Sequence, residues 1–183
     1  PNRVVSVAAN GAFTIPGVPQ GRYRVQAAGM FGGTPARVYL KTIRLGEQDA
    51  TKIALDLTTF NAAPSLDLIF SPKAASLGVI VLYESETTPR GTAIYVPEPY
   101  PADPRLPTSG YTALPLDQTG YAQANNMPPG RYRVYAFEQY DPIDGIDQAR
   151  LKSLEARSEI ITLGDGGFER VNVKQIRAAD IPR

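Results

Sequence analysis

Apolar and polar residues alternate in short runs along almost the whole chain, the period-two signature of half-buried β-strands. In Arg22-Tyr23-Arg24-Val25-Gln26-Ala27 the odd positions face a core, and both Arg and the Gln face water. Tyr132, Val134 and Ala136 keep that parity against Arg131, Arg133 and Tyr135. Ile53, Leu55 and Leu57 alternate with Ala54 and Asp56, and Leu66, Leu68 and Phe70 do likewise. Val79, Val81 and Tyr83 alternate with Ile80 and Leu82, which predicts a strand apolar on both faces and central in its sheet. Between 36 and 45 the parity slips from Val38 and Leu40 to Ile43 and Leu45, predicting a bulge. Turns punctuate the runs at Asn10-Gly11, Pro19-Gln20-Gly21, Gly32-Gly33, Gly46, Gly120, Pro128-Pro129-Gly130 and Gly164 to Gly167. One stretch has a helical period: Asp147 to Arg157 sets Ala149, Leu151, Leu154 and Ala156 near one face, with Asp147 as the N-cap.

The chain also repeats itself. "VPQGRYRVQAA" at 18–28 returns as "MPPGRYRVYAF" at 127–137, and Gly11 and Ile15 upstream correspond to Gly120 and Ala124. Two copies of one unit follow, with a boundary near Ser71 to Ser76: residues 1–71 form a β-sandwich unit lacking its first strands, and 72–183 a complete one. The second copy has strand-like segments at 77–84 and 91–96 before its turn, whereas the first has only Val4 to Ala8. The shortfall predicts that the first unit is completed from outside, either by chain upstream of Pro1 or by a strand donated from a neighbouring subunit. The alternative is that Val4 to Ala8, 36–45 and 51–57 close a smaller sandwich alone. Within the repeated phrase, Pro sets φ for the turn and Gly21 and Gly130 supply a conformation other residues avoid. Tyr23 and Tyr132 then put a ring in the core and a hydroxyl near its rim, which makes the phrase a folding part.

Composition narrows the chemistry. In 183 residues there are 17 Pro and 16 Gly but no Cys, His or Trp, and the formal net charge is +1. Dense turn residues fit an all-β chain. Without Cys and His, thiol nucleophiles, the usual structural zinc sites, haem ligation and His-based triads are excluded. Near-neutral charge offers no field for nucleic acid, and no apolar run reaches the ~20 residues of a membrane span. The chain opens at Pro1 without Met, as a processed or partial chain would.

The residues "NGAFTIPGVPQGRYRVQAAG" and "QTGYAQANNMPPGRYRVYAFEQ" resemble the G-x-F-x-(I/L)-x-x-(V/L)-P-x-G-x-Y-x-(V/L)-x-A signature of carboxypeptidase regulatory-like domains, which are transthyretin-like and CnaB-like β-sandwiches grouped with starch-binding-like folds. The segments 39–72 and 149–176 are similar to large bacterial envelope proteins that string such domains together. The resemblance implies tandem antiparallel Ig-like sandwiches with one short helix in the second. It also implies a secreted, periplasmic or cell-surface setting and a non-catalytic role as scaffold, spacer or assembly subunit. A carbohydrate-binding module and an accessory subunit docked on an envelope complex are the alternatives. Phe13 of the signature becomes Ala122 in the second copy, so an aromatic plug must come from elsewhere, with Tyr121 a candidate, and Asn125-Asn126 is unusually polar. CnaB-like relatives suggest a Lys–Asn isopeptide bond; Lys73, Asn172 and Glu138 are the nominees, with ordinary surface residues the preferred reading.

Candidate sites are few. Pro97 to Pro107 is dense in Pro and suits a stiff contact platform, with Tyr95, Tyr100 and Tyr111 as stacking rings and Arg105 beside them for a sugar or a protein partner. Asp141, Asp144 and Asp147 sit close together in "DPIDGID" after Glu138, but lack EF-hand spacing, so a solvated loop is the preferred reading over a calcium site. Glu84 and Glu86 share a strand face without a motif that sets one as acid and the other as base. The expectation is no cofactor, no metal and no enzyme activity. The expected partners are other protein chains and polysaccharide.

Overall fold

In a computed structural model of the chain, residues 4–26, 30–31, 34–35, 37–60, 62–83, 90–139 and 148–181 are described. The chain is all-β. Among the described residues fourteen strands are formed: β1 (Arg22–Tyr23), β2 (Met30–Phe31), β3 (Thr34–Pro35), β4 (Tyr39–Leu45), β5 (Gln48–Asp49), β6 (Leu55–Asp56), β7 (Leu66–Ser71), β8 (Ala75–Leu82), β9 (Thr92–Pro97), β10 (Thr112–Pro115), β11 (Tyr121–Met127), β12 (Gly130–Phe137), β13 (Glu159–Leu163) and β14 (Phe168–Ile176). One short helix, α1 (Gln148–Ser153), is found among the described residues and runs into a 3-10 turn at Glu155–Arg157. Strands β1 to β7 pair among themselves, and β8 to β14 do the same.

The later strands make a two-layer sandwich. One layer has the order β10-β9-β12-β13 and the other β11-β8-β14; they join where the end of β12 pairs in parallel with β14, Ala136 and Phe137 opposite Gln175 and Ile176. Most pairs are antiparallel, and β14 also runs parallel to β8 from Phe168 to Lys174. Between the layers lie Leu77, Val79, Val81, Tyr95, Ala122, Met127, Tyr132, Val134 and Val173, all buried. The inward parity of Tyr132, Val134 and Ala136 is the one that the alternation predicts.

The opposite face departs from the pattern. Tyr135 reads as water-facing but is fully buried, because Ile94, Val96, Tyr135 and Phe137 form a second core beneath Leu151, Leu154, Tyr100 and Tyr111. Conversely β8, apolar on both faces and central in its layer as expected, has an outer face that is only partly covered: Ile80 is half-buried and Leu82, at its end, is 48% exposed. Residues 98–111 and α1 cover β9 and β12, while over β8 the Tyr121 ring lies against Gly78.

The early strands form smaller sheets. β1 pairs β6, with Tyr23 opposite Leu55, and β4 pairs both β5 and β7. Their core holds Leu40, Ile43, Leu45, Ala50 and Leu55, with Tyr23, Phe60, Leu66 and Phe70 packed around it. The parity slip in β4 is a bulge, since the register with β7 shifts between Leu40 and Thr42. Two segments expected as strands fall short. Val4 to Ala8 forms no strand, with Val4 96% exposed, and only Leu55–Asp56 of the run from Ile53 to Leu57 pairs.

Candidate functional site

The repeated phrase folds twice into the same local structure. Ala8 N–H donates to Ala12 and Gly11 N–H to Ala8; 109 residues later Asp117 donates to Tyr121 and Gly120 to Asp117. Gly17 has φ 61° and Asn126 φ 57°; Gly21 has φ 155° and Gly130 φ 152°. The left-handed position explains the polar Asn126, because Asn tolerates this region better than any β-branched or bulky residue. Tyr23 Oη donates to the Pro19 carbonyl at 2.8 Å, and Tyr132 Oη to the Pro128 carbonyl at 2.8 Å. A tyrosine tied to the backbone a few residues upstream locks a corner in the manner of the tyrosine corner of Ig-like sandwiches.

The structure places the loop tyrosines individually. Tyr95 lies wholly in the inter-layer core, its hydroxyl donating to the Ala122 carbonyl at 3.2 Å, so its ring is no contact surface. It is the aromatic that reaches the place where Phe13 of the first copy becomes Ala122; Tyr121, of opposite parity, faces out. Burial pushes the Tyr95 phenol far above its ordinary pKa. Tyr100 packs over the second core and meets Tyr135 Oη at 2.7 Å; Tyr135 donates to the Leu151 carbonyl at 2.9 Å, so the Tyr100 proton points to Tyr135. Lys152 Nζ stands 5.5 Å from the Tyr100 ring centre. Tyr111 packs on the same core. Of the four loop candidates, Arg105 is the one that is largely exposed, and it bonds Asp103.

Asp103, not singled out from sequence, ties the loop to the first copy. Arg24 approaches its Oδ2 at 2.9 Å, while Arg105 donates to Oδ1 from its backbone at 3.0 Å and its Nε at 3.1 Å. Burial opposes the charge, but the bonds from Arg24 and Arg105 outweigh it and lower the carboxyl to about 2. Thr108 Oγ1 donates to the Thr51 carbonyl nearby. At the loop's start Glu98 holds Arg131 at 2.7 Å and also pairs with Arg133, whose side chain is largely buried and bonds Ser158 Oγ at 2.9 Å. These contacts position the chain and set up no nucleophile beside a base. The signal for the clamp was the Pro-dense loop itself, but a partner 79 residues away in sequence is not legible there.

The residues named for an isopeptide bond are engaged elsewhere. Lys73 Nζ pairs with Asp165 at 2.6 Å, Glu138 accepts the Ala178 N–H at 3.1 Å, and Asn172 faces solvent opposite Ile80. Asp141, Asp144 and Asp147, and Glu84 and Glu86, lie outside the described residues. No described helix is long and apolar enough to cross a membrane.

A patch on the outward face of the β11-β8-β14 layer was missed. Tyr121 lies over Gly78, where a Cβ would come within 2.7 Å of its hydroxyl oxygen. The Arg170 guanidinium stands 5.9 Å from the Tyr121 ring centre and 5.8 Å from that of Phe168, itself 51% exposed. Tyr121 Oη donates to Gln123 at 2.7 Å, and Gln123 to Asn125 at 2.8 Å. The outward parity of residue 121 was the available signal.

No protein-family model matches the chain, and no curated protein matches it. Among solved structures, the TIE protein of Bacillus anthracis is 14% identical over 67% of this chain and 20% of its own, at a TM-score of 0.36. GBS52, the minor pilin of Streptococcus agalactiae, is 14% identical over 71% of this chain and 61% of its own, at 0.32. A streptococcal ancillary pilin is 16% identical over 86% and 46%, at 0.34. The chain spans less than two thirds of each of these proteins, and the scores are too low to establish a common topology.

Proposed function

We propose that this chain is a non-catalytic β-sandwich module of a bacterial cell surface or envelope, a spacer or assembly subunit built from two units with their boundary at 71/72. One observation carries the reading: the loop that looked like a contact platform is spent on joining the two copies. Asp103 gathers Arg24 and Arg105, and Thr108 reaches Thr51. A charged pair and a hydroxyl that could serve chemistry tie the two copies together, as a structural element requires. Small-angle scattering tests this. The intact chain should show one fixed separation of its units, and Asp103→Ala should broaden it. A distribution equally broad in both, or turnover of a small molecule by the purified chain, would sink the reading.

A second reading has its own support. Tyr121, Phe168 and Arg170, with Gln123 and Asn125 alongside, offer ring faces and amides on an open sheet, the composition that stacks on and bonds to sugar. Affinity electrophoresis through cell-wall polysaccharide should then retard the chain, and Tyr121→Ala with Phe168→Ala should abolish the shift. Unchanged mobility of the parent chain would remove it.

A further inference from the structure

The registers of β11, β8 and β14 set the outward face of their layer out in rows. Asn172, Ile80 and Tyr121 share one row, Arg170, Gly78 and Gln123 the next, and Phe168 and Ser76 a third. Gly78 leaves the middle row without a side chain at its centre, and the half-buried Tyr121 ring lies there. Tyr121 Oη donates to Gln123 Oε1 and Gln123 Nε2 to Asn125 Oδ1, so this line of bonds ends on the Asn125 amide, whose N–H groups find no acceptor among the described residues. The Arg170 guanidinium stands 5.9 Å and 5.8 Å from the Tyr121 and Phe168 ring centres. That is too far to cover either ring, since stacked groups meet at about 3.5–4 Å. No described carboxylate pairs with Arg170. Arg170 and Lys174 are both exposed, and no described residue of this face is acidic; Glu169, next along, has the opposite parity and lies opposite Leu77. With a formal net charge of +1 on the whole chain, the cationic excess of this face is local.

We infer that this face binds an acidic polysaccharide, a polymer of uronic acid rings that rest on Tyr121 and Phe168 while a ring carboxylate meets Arg170. The inference rests on the second reading above, that the patch takes sugar, and adds the charge of that sugar. A guanidinium is a planar fork that holds a carboxylate through two parallel N–H bonds, and such charge-assisted bonds are stronger than neutral ones. The groups left over on this face donate: Arg170, Lys174 and the Asn125 amide offer N–H groups, and none is offered a carboxylate from the described face. A neutral glycan would gain nothing from the cation. A phosphate-linked chain of open polyols would use the cation and leave the rings bare. A polyuronate uses both, because every repeat carries a ring and a carboxylate. From Phe168 to Asn172 the face runs about 13 Å along β14, at ~3.3 Å per residue, which is longer than one sugar ring and suits a polymer.

Polygalacturonate, alginate and hyaluronan are the probes, each titrated calorimetrically against the full chain beside its own carboxyl-reduced form, without divalent cations. At least one acidic polymer should bind about tenfold tighter than its reduced form, the worth of one charge-assisted bond. Arg170→Gln should erase that preference and leave the weaker binding of the reduced form. Arg170→Lys, a charge without the fork, should keep part of it. Tyr121→Ala with Phe168→Ala should weaken both forms, and so should Phe168→Ala alone, at a side chain already 51% exposed. Equal binding of acidic and reduced forms, lost with the two rings, removes the acidic preference and leaves the sugar reading standing. A preference that persists in Arg170→Gln overturns the site. Acidic binding that survives loss of both rings, or that ribitol teichoic acid matches, reduces the interaction to charge and overturns the polyuronate. No binding of any of these polymers removes the inference and the sugar reading together.

Discussion

Residues 8–25 and 117–134 are the same structure in different company. Both close a turn with matched hydrogen bonds, both turn left-handed at one residue, and both tie a Tyr hydroxyl to a Pro carbonyl at 2.8 Å. Yet Tyr132 is 2% exposed while Tyr23 is only half-buried, and Val4 stands 96% exposed where its counterpart Ala113 packs on a core. The local conformation is therefore written in the phrase, since turn, corner and left-handed residue form without the neighbouring strands. Burial is conferred by the strands, and only the second copy has them within the described chain.

This contrast can be broken by substitution. Tyr132→Ala should cost the second sandwich about 3–5 kcal/mol, the range for removing a large core side chain. Tyr23→Ala should cost the first copy about 1–2 kcal/mol, because less apolar surface leaves its core. Denaturant unfolding followed separately for each copy checks both. Equal losses would mean that the corner, not the burial, carries the energy.

Gly17→Ala and Asn126→Ala each force a Cβ without a helpful side chain into the left-handed region, and each should destabilise its copy by about 1 kcal/mol. Asn126→Gly should be near neutral. A loss at 126 without one at 17 would show that the first copy relaxes its turn when its strand is unpaired.

Tyr23→Phe and Tyr132→Phe remove only the hydroxyl bond, and both should cost about 1 kcal/mol in thermal melts. A clearly larger loss at 132 would mark the half-buried Pro128 carbonyl as left unsatisfied, sharpening the difference in burial.

The smallest effect concerns the clamp between copies. The folded Asp103 carboxyl is lowered, so its contribution is present above the ordinary carboxylate value of 3.8 and is lost as pH falls through about 2. The spacing of the two units should hold at pH 5 and loosen between pH 4 and about 2, as read by scattering, with Asp103→Asn loose throughout. A spacing in the variant indistinguishable from the parent at pH 5 would assign the clamp to Thr108 alone. Being partly exposed to solvent, the pair is worth little and weakens with salt.

Much of this architecture is local and so legible in the amino-acid order. Alternation located β7, β8, β9 and β12, the parity slip located the bulge in β4, and the repeated phrase announced its own doubling. These features depend on contacts a few residues apart, or on a face-in, face-out choice that each strand carries with it. Covering of outer faces did not follow from that choice. Tyr135 is buried and Leu82 exposed because α1 and residues 98–111 settle over β9 and β12 and not over β8, and nothing in either strand states which sheet face receives a cap. The Arg24–Asp103 pair, Tyr95 reaching Ala122, and Tyr121 lying on Gly78 were likewise decided in three dimensions, since each joins residues whose sequence separation carries no period. Sequence alone determined the parts and their doubling; tertiary packing decided which copy of each part was enclosed, because burial belongs to the neighbours an element finds and not to the element itself.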